Sequence, residues 1–437
     1  MKISRPHVVI IGGGFLGLSA ALELCKLNIA VTVLEQNDTL GGLAGSFNLG
    51  DFKLEKFYHH WFINDDYIMN LIAELGLKEN IRLRSTHTGM YYANQFYRLS
   101  SPTDVLKFKP LALLDRLRLG LFVLRARKIR HWQKLESYSA KEWLLQLCGS
   151  KIYKIVWEPL LIGKFGPHAE TISASWFWKK IILRGGSRSK YGNENLAYFQ
   201  GGFSALIDAM TNKIISQGGI IKTNAQVQSL VVKDKLQGVQ TNNEFITADA
   251  VIATPALPII ADIAEPHLPA EFINNLRRIK YLANVCLVLE LDRSLSNTYW
   301  LNVNDVTFPF VGIIEHTNFE PGDSYGGRHL VYLSKYLASN DAVFNMTATE
   351  LLQFAIPHLK RMFPHFSDDW IKNFYVWHAD YAQPITTKNY HVLIPAQQTP
   401  LNNFFIATMA QIYPEDRGTN YAIREGQRIA KRVAEIL

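Results

Sequence analysis

The sequence predicts an α/β protein with two parts: a Rossmann-like domain built from two glycine motifs, and a mixed-sheet domain carrying a helical insertion. Three observations predict it. An apolar, β-branched run leads into the spaced glycines Gly12, Gly14 and Gly17 and then into helical periodicity. A second apolar run ends in the acid Glu35, with the glycine pair Gly41 and Gly42 close behind. Strand-rich and helix-rich stretches then alternate to the C-terminus with no internal repeat and no Gly-, Ser- or Pro-rich linker.

His7 to Ile11 suits a strand buried on both faces of a parallel sheet. Gly12, Gly14 and Gly17 supply a tight turn, close backbone approach to a pyrophosphate, and close helix–strand packing. Phe15 to Leu27 has helical spacing, so the amides near Phe15 and Leu16 open a helix and favour an anion. The next strand, Ala30 to Leu34, ends at Glu35 and Gln36, where a carboxylate accepts ribose hydroxyls and repels a 2′-phosphate. Strand, helix, strand and acid in that order make an adenine dinucleotide the reading of this unit, NAD or FAD. The second glycine turn at Gly41 and Gly42 favours the longer FAD.

The Glu35-to-Gly42 arrangement resembles the two-dinucleotide-motif flavoproteins. With later segments, the chain is similar to the amine oxidase and protoporphyrinogen oxidase superfamily, which includes UDP-galactopyranose mutase-like enzymes. The resemblance implies FAD in an extended form, touching Gly42, Leu43 and Ala44 here. Many relatives carry Arg after the paired glycines; this chain has Leu43.

The chain has 437 residues, too many for one core, so two or three structural units are expected. Its 48% hydrophobic and 19% charged composition describes an ordered protein. Cys25, Cys148 and Cys286 are far apart, which argues for a reducing compartment and against a metal site or disulfide framework. The start reads as neither signal peptide nor membrane span, so a cytoplasmic protein is expected. The net charge of +8 suits an anionic substrate or a membrane surface; without a nucleic-acid-binding signature, nucleic acid is not expected.

Ser46 to Leu54 reads as a hairpin turning at Gly50 and Asp51, and Asp65 to Leu75 as a helix stopped by Gly76. Between them, Glu55, Phe57 and His59 resemble the family's acid-x-Gly-x-His segment beside the flavin ring, with Phe57 in the glycine's place. The resemblance implies cofactor contact by Phe57, Tyr58 and His59. His59 and His60 are the candidate catalytic residues; packed, hydrogen-bonded histidines are the plain alternative.

Arg82 to Leu99 reads as paired strands turning at Ala93 and Asn94, opening the second domain. Residues 110–136 are the most basic stretch, with Arg116, Arg118, Arg125, Arg127, Lys128 and Arg130. Leu113, Leu114, Leu117, Leu121, Phe122 and Leu124 recur among them at helical spacing. This amphipathic helix covers the substrate domain with its polar face in water, or touches the inner face of a membrane. Helices are also predicted at 139–148, 151–162 and 173–183, broken at Pro159 and Gly163. Arg184, Arg188 and Lys190 then offer guanidinium and ammonium groups for a phosphate or carboxylate, or are solvated loop charges.

Tyr198 to Pro255 returns to the cofactor domain through Gly201, Gly202, Val227 and the strand ending at Ala253. The resemblance implies that the Val227 backbone pairs with adenine and that Ala253 lies by the cofactor. Strands are predicted at 285–291, 307–314 and 330–336 and a helix at 342–356. Val376 to Ile385 resembles the segment passing the flavin, which makes Trp377 and Tyr381 candidates for the pocket wall. At the C-terminus a strand precedes Met409, Tyr413 and Arg417, and Gly418, Thr419 and Asn420 open the last helix. Its amides suit the negative charge on a reduced flavin. Where relatives have Gly-Asp, this chain has Thr408 and Met409. Arg417 pairs with Asp416 or reaches a substrate anion, and Tyr413 is its neighbour in the substrate set with Arg184.

The expected domains are 1–85, 198–265 and 395–437 for FAD, and 86–197 and 266–394 for substrate, with the insertion at about 102–184. The resemblance implies a FAD-dependent oxidoreductase that accepts a hydride from a small-molecule substrate, anionic or lipid-linked. Its alternatives are a redox-neutral mutase of nucleotide- or lipid-linked sugars and a non-enzymatic flavoprotein at a membrane surface.

Overall fold

The computed structural model describes residues 5–99, 101–186 and 194–437. The opening unit is β1 (His7–Ile11), α1 (Phe15–Lys26) and β2 (Ala30–Leu34), with the bounds that the apolar runs predict. A hairpin of β3 (Ser46–Leu49) and β4 (Phe52–Glu55) follows, then β5 (Trp61–Phe62) and α2 (Asp66–Glu74). β6 (Ile81–Thr86), β7 (Thr88–Tyr92) and β8 (Gln95–Arg98) lead to the helical insertion. That insertion comprises α3 (Pro102–Lys107), α4 (Leu113–Arg127), α5 (Ala140–Cys148), α6 (Ser150–Ile152), α7 (Glu158–Phe165) and α8 (Ala174–Gly186).

The chain then returns through β9 (Glu194–Phe199), α9 (Gly202–Ser216) and β10 (Ile220–Lys222). β11 (Val227–Val232), β12 (Leu236–Thr241), β13 (Phe245–Thr247) and β14 (Ala250–Ala253) come next, followed by α10 (Leu257–Ala264) and α11 (Ala270–Arg278). The second large sheet draws on β15 (Tyr281–Leu291), β16 (Trp300–Val303), β17 (Gly312–Glu315) and β18 (His329–Leu337), then α12 (Ala348–Met362) and β19 (Ile371–Pro384). β20 (Phe404–Ile406) and α13 (Thr419–Ile436) close the chain.

Five parallel strands in the order β10-β2-β1-β14-β20 form the central sheet. Alternation sends Val8 and Ile10 to one face and Val9 and Ile11 to the other, and all four are buried. The first pair packs with Leu18, Met210 and Ile429 of α1, α9 and α13. The second packs with Val239 of β12 and Ile260 of α10. A run buried on both faces is what a β-branched strand with no polar alternation requires.

The seven-stranded mixed sheet runs β19-β15-β18-β17-β16-β7-β8. Val285, Leu287 and Leu289 pack against Leu351 and Leu359 of α12, while Cys286 and Val288 face the cofactor-domain core. Asn284 and Ser334 share that inner parity, and Asn284 lies opposite Tyr336 in the β15–β18 register. Together the two large sheets and the helical insertion make the mixed α/β fold that the sequence predicts.

Five local expectations are corrected. The strand expected at 307–314 is confined to Gly312–Glu315, and the helix expected at 342–356 is a 3-10 turn at Ala342–Asn345 followed by α12. β6 pairs with β9, not with the β7–β8 hairpin, in a separate three-stranded sheet β5-β9-β6. The helix expected at 151–162 is interrupted by a π-helical turn at Tyr153–Trp157, and Pro159 occupies the first turn of α7, where no N–H is needed. In the basic stretch, helix ends at Arg127, and its buried side is Leu119, Phe122 and Ala126; Leu113, Leu114, Leu117, Leu121 and Leu124 are exposed. The spacing shows one apolar stripe, and the structure separates it into two opposite ones.

Candidate functional site

The first part of the site is a groove without side chains. Gly12 has φ +103°, and a Cβ on Gly17 would stand 2.0 Å from the Gly12 carbonyl oxygen, so α1 starts hard against the turn. Gly41 has φ +109° and donates its N–H to Gly13 O at 2.9 Å, which sets the second glycine turn beside the first. A Cβ on Gly42 would come within 3.5 Å of Gly14 Cα. Gly14 caps α1 without a side-chain hydrogen bond, which leaves the first-turn amides of Phe15, Leu16 and Gly17 for an anion.

Glu35 lies at the groove's end, 5% exposed. Its Oε1 accepts from Asn37 N at 3.0 Å and Asn37 Nδ2 at 2.7 Å, while its Oε2 accepts from Gly13 N at 2.8 Å and keeps a lone pair for a ribose hydroxyl. Gln36 beside it is exposed. Ala225 N donates to Glu35 O at 2.9 Å, which brings Val227 to the same end. Val227 begins β11, the edge strand of the β11-β12-β13 sheet, so its outer side has no strand partner. Ala253 is buried where β14 meets Ile11. These features fit an extended adenine dinucleotide: backbone amides for the diphosphate, a carboxylate for ribose, an open strand edge for adenine.

The second part is a cavity between the second glycine turn and the mixed sheet. Leu43 from the second glycine turn and the segment Phe57, Tyr58 and His59 form one wall. Asn284, Ser334 and Tyr336 from the mixed sheet form the other, with Arg417 at the end. Ala44 is buried just behind Leu43. The His59 ring donates Nδ1–H to Phe57 O at 2.6 Å, which leaves Nε2 as the acceptor. Burial pushes the His59 pKa down to about 4, with the Phe57 hydrogen bond opposing and Arg417 adding to it, so the ring is neutral at physiological pH. His60 turns elsewhere: its Nδ1 meets Tyr299 OH at 2.8 Å among the rings of Phe62, Trp300 and Phe319.

Among the described residues, two buried polar atoms of this cavity have no protein partner. Asn284 donates Nδ2–H to Ser334 Oγ at 2.9 Å, but its Oδ1 accepts nothing. Arg417 donates Nη2–H to Tyr336 OH at 3.0 Å, but its Nε–H is unused. Leaving such an atom unpaired costs about 1–3 kcal/mol, so an acceptor and a donor stand ready for a polar ring edge or a substrate group.

Arg417 belongs to a cationic cluster around Asp416. Asp416 accepts from Lys180 at 2.6 Å and Trp176 Nε1 at 3.1 Å, with Lys164 at 3.4 Å. Burial alone would raise the Asp416 pKa; Lys164, Lys180 and Arg417 together hold it well below the usual carboxylate range. Among the described residues, Lys164, Lys180 and Arg417 gather around this carboxylate, with Arg417 reaching the cavity.

The last helix completes the arrangement. Gly418 caps α13 without a side-chain bond, so the backbone amides of Thr419 and Asn420 remain outside the helix ladder. The Asn420 side chain is engaged elsewhere, accepting from Ile68 N at 3.1 Å. A Cβ on Gly426 would meet Leu16 O at 2.4 Å, so α13 lies directly on α1. Thr408 caps the turn Met409–Gln411 through a capping box with Gln411.

Trp377, Tyr381 and Tyr413 do not line the cavity. Trp377 packs on Phe47 at 4.9 Å with Lys56 Nζ over its ring, and Tyr381 packs on Tyr281. Tyr413 OH is shared by Glu136 and Ser173. The Arg184 side chain, and Arg188 and Lys190 altogether, lie outside the described residues. Asn284, Ser334, Tyr336, Lys164 and Lys180 escaped the sequence reading. Asn284 and Ser334 did leave a signal, as lone polar residues at inward positions of apolar strands.

The family model for flavin-containing amine oxidoreductases matches residues 17–434. A phytoene dehydrogenase from Streptomyces griseus is 25% identical over 296 residues, 60% of this chain and 57% of that protein. A zeta-carotene desaturase from Synechocystis sp. is 22% identical across 92% of this chain and 91% of its own. Polyamine oxidase 2 of Arabidopsis thaliana is 24% identical across 93% and 84%. Reduced UDP-galactopyranose mutase shares the fold with a TM-score of 0.77 at 16% identity, covering 99% of this chain and 96% of its own. This chain belongs to the flavin-containing amine oxidoreductase family, whose usual cofactor is FAD.

Proposed function

We propose that this chain is a FAD-dependent oxidoreductase that accepts a hydride from an organic substrate bearing an anionic group. The observation that carries the reading is the half-buried Arg417, whose buried Nε–H has no acceptor among the described residues, at the end of a cavity walled by the segment Phe57–His59. FAD supplies the two-electron acceptor. Gly12, Gly14, Gly17 and Glu35 would hold its adenosine diphosphate, and Leu43, Phe57 and the amides at Thr419 and Asn420 would border the ring. Arg417 and Asn284 orient the substrate; the apolar wall excludes water.

The cavity's lining contains no carboxylate, and His59 is a weak base with its pKa near 4. That suits direct hydride transfer better than chemistry begun by strong proton abstraction. A polyamine, the substrate class in the name of one relative, would bring cations against Arg417, Lys164 and Lys180. Like charges in a buried site repel, which favours a carboxylate or phosphate. The separate thiols Cys25, Cys148 and Cys286 suit a reducing cytoplasm.

The same cationic cluster also favours a second reading, a redox-neutral mutase of a nucleotide- or lipid-linked sugar, whose diphosphate Arg417 would bind. An anaerobic screen separates the two. An organic acid or phosphate that bleaches the oxidised flavin stoichiometrically supports the oxidoreductase. Turnover only after prior reduction, with no net electron consumption, supports the mutase. A yellow protein inert to both screens would support the third reading, a binding protein.

A further inference from the structure

We propose that α4 docks this protein on an anionic bilayer surface through a second apolar face that its own fold leaves uncovered. Leu113, Leu114, Leu117, Leu121 and Leu124 are 60%, 80%, 50%, 53% and 56% exposed. At about 100° per residue these five fall within an arc of roughly 100° along the helix. Leu119, Phe122 and Ala126, all buried, lie on the opposite side and are the face that the fold uses. The exposed stripe is therefore surplus to folding.

Its borders are basic. The same helical geometry puts Arg118 and Arg125 along one edge of the stripe and Arg116 and Arg127 along the other, with Lys128 at its C-terminal end. Arg116 is held by Leu111 O at 2.7 Å and Leu106 O at 2.6 Å, and Arg118 by Leu147 O at 3.0 Å. Carbonyl partners fix these guanidiniums without neutralising them. The single acid of the helix, Asp115, points to the buried side and is paired with Lys151 at 3.6 Å. Leu106 at the end of α3 extends the apolar surface, 47% exposed.

A leucine stripe between two rows of arginine matches the boundary of an anionic leaflet, with acyl chains below and phosphates on either side. A second copy docked face to face would set these arginine rows against each other. α4 is also tied to the candidate site: Trp178 of α8 donates Nε1–H to Ala126 O at 2.8 Å, and α8 carries Trp176 and Lys180 to Asp416. The docked face and Lys180 beside Asp416 thus belong to one helical unit.

Sedimentation of the purified full chain with vesicles tests this. Phosphatidylcholine vesicles containing phosphatidylglycerol should carry the protein down, and phosphatidylcholine alone should not. Arg125→Glu with Lys128→Glu should weaken that binding about tenfold or more, and added salt should weaken the wild type. Leu117→Ser, Leu121→Ser and Leu124→Ser together should abolish it, while flavin content and the circular dichroism spectrum stay at wild-type values because the buried face of α4 is untouched. Wild-type protein that stays in the supernatant with anionic vesicles overturns the proposal. So does unchanged vesicle binding by the leucine variant, or a dimer by light scattering that this variant dissolves while vesicle binding persists.

Discussion

The carboxylate of Glu55, at the end of β4, accepts the backbone N–H of Phe203 at 2.7 Å in the first turn of α9. It also accepts Tyr198 OH at 2.6 Å, and Gly202 has φ +77° to let it in. A buried acid thus caps a helix some 150 residues away in sequence and locks the hairpin that precedes Phe57, Tyr58 and His59. Burial raises its pKa, while Tyr198 and Phe203 oppose the rise by bonding the carboxylate.

Gly202→Ala should therefore destabilise the protein. Its Cβ would stand 2.7 Å from Glu55 Oε1 at a backbone angle that alanine avoids. A loss of about 1–3 kcal/mol is expected, read as a lower midpoint in urea. Glu55→Ala should cost at least as much, because it strands the Phe203 N–H and the Tyr198 hydroxyl. Unchanged midpoints for both would show that this contact is idle.

Gly17→Ala acts on the cofactor groove. A methyl group 2.0 Å from Gly12 O forces the turn and α1 apart, so FAD affinity should fall about tenfold or more. Titration of the apoprotein with FAD, followed by fluorescence quenching, measures it, and circular dichroism reports whether the chain is folded. Wild-type affinity in a folded variant would contradict the placement of the diphosphate.

Arg417→Gln should leave FAD bound but weaken anionic ligands. Loss of a charge-assisted pair costs about 1.5–3 kcal/mol, a rise in Kd of about tenfold to a hundredfold. Perturbation of the flavin spectrum by a series of carboxylates and organic phosphates measures it. Arg417→Lys should recover part of the affinity through charge alone, without the forked geometry. Equal Kd values for wild type and the Gln variant would remove Arg417 from the substrate site.

His59 and His316 set an acid limit on stability. Burial pushes their pKa values down to about 4 and about 3, while an unfolded chain keeps the ordinary value of 6.5. As pH falls below 6.5, the unfolded state takes up these protons first. Their contribution is thus complete above about pH 6.5 and is lost as pH drops toward 4, about 3 kcal/mol for His59. Melting temperatures of the apoprotein at pH 7 and pH 5 should fall steeply, and His316→Gln should show a shallower slope. Identical slopes would place these rings in water.

The cofactor half of this architecture is legible in the sequence because its chemistry is done by backbone. Gly12, Gly17 and Gly41 are demanded by turns and close approach, and those demands surface as glycine spacing. The apolar runs His7 to Ile11 and Ala30 to Leu34 become strands because no other placement buries both their faces. The cavity's far wall is hidden because β15 and β18 converge on it from positions 50 residues apart. Pairing of Asn284 with Ser334 is a matter of register, which single-sequence patterning does not express. Trp377, Tyr381 and Tyr413 stay outside the cavity's lining because they pack on Phe47, Tyr281 and Trp132, partners that lie far off in sequence. In α4, apolar spacing alone could not tell a buried stripe from an exposed one.

The visible absorption spectrum of the purified full chain, taken before and after dialysis against FAD, tests the central claim most directly. The groove between the two glycine turns predicts flavin bands with one FAD per chain, lost in parallel in the Gly17→Ala variant. A folded, colourless protein that takes up no FAD would contradict it.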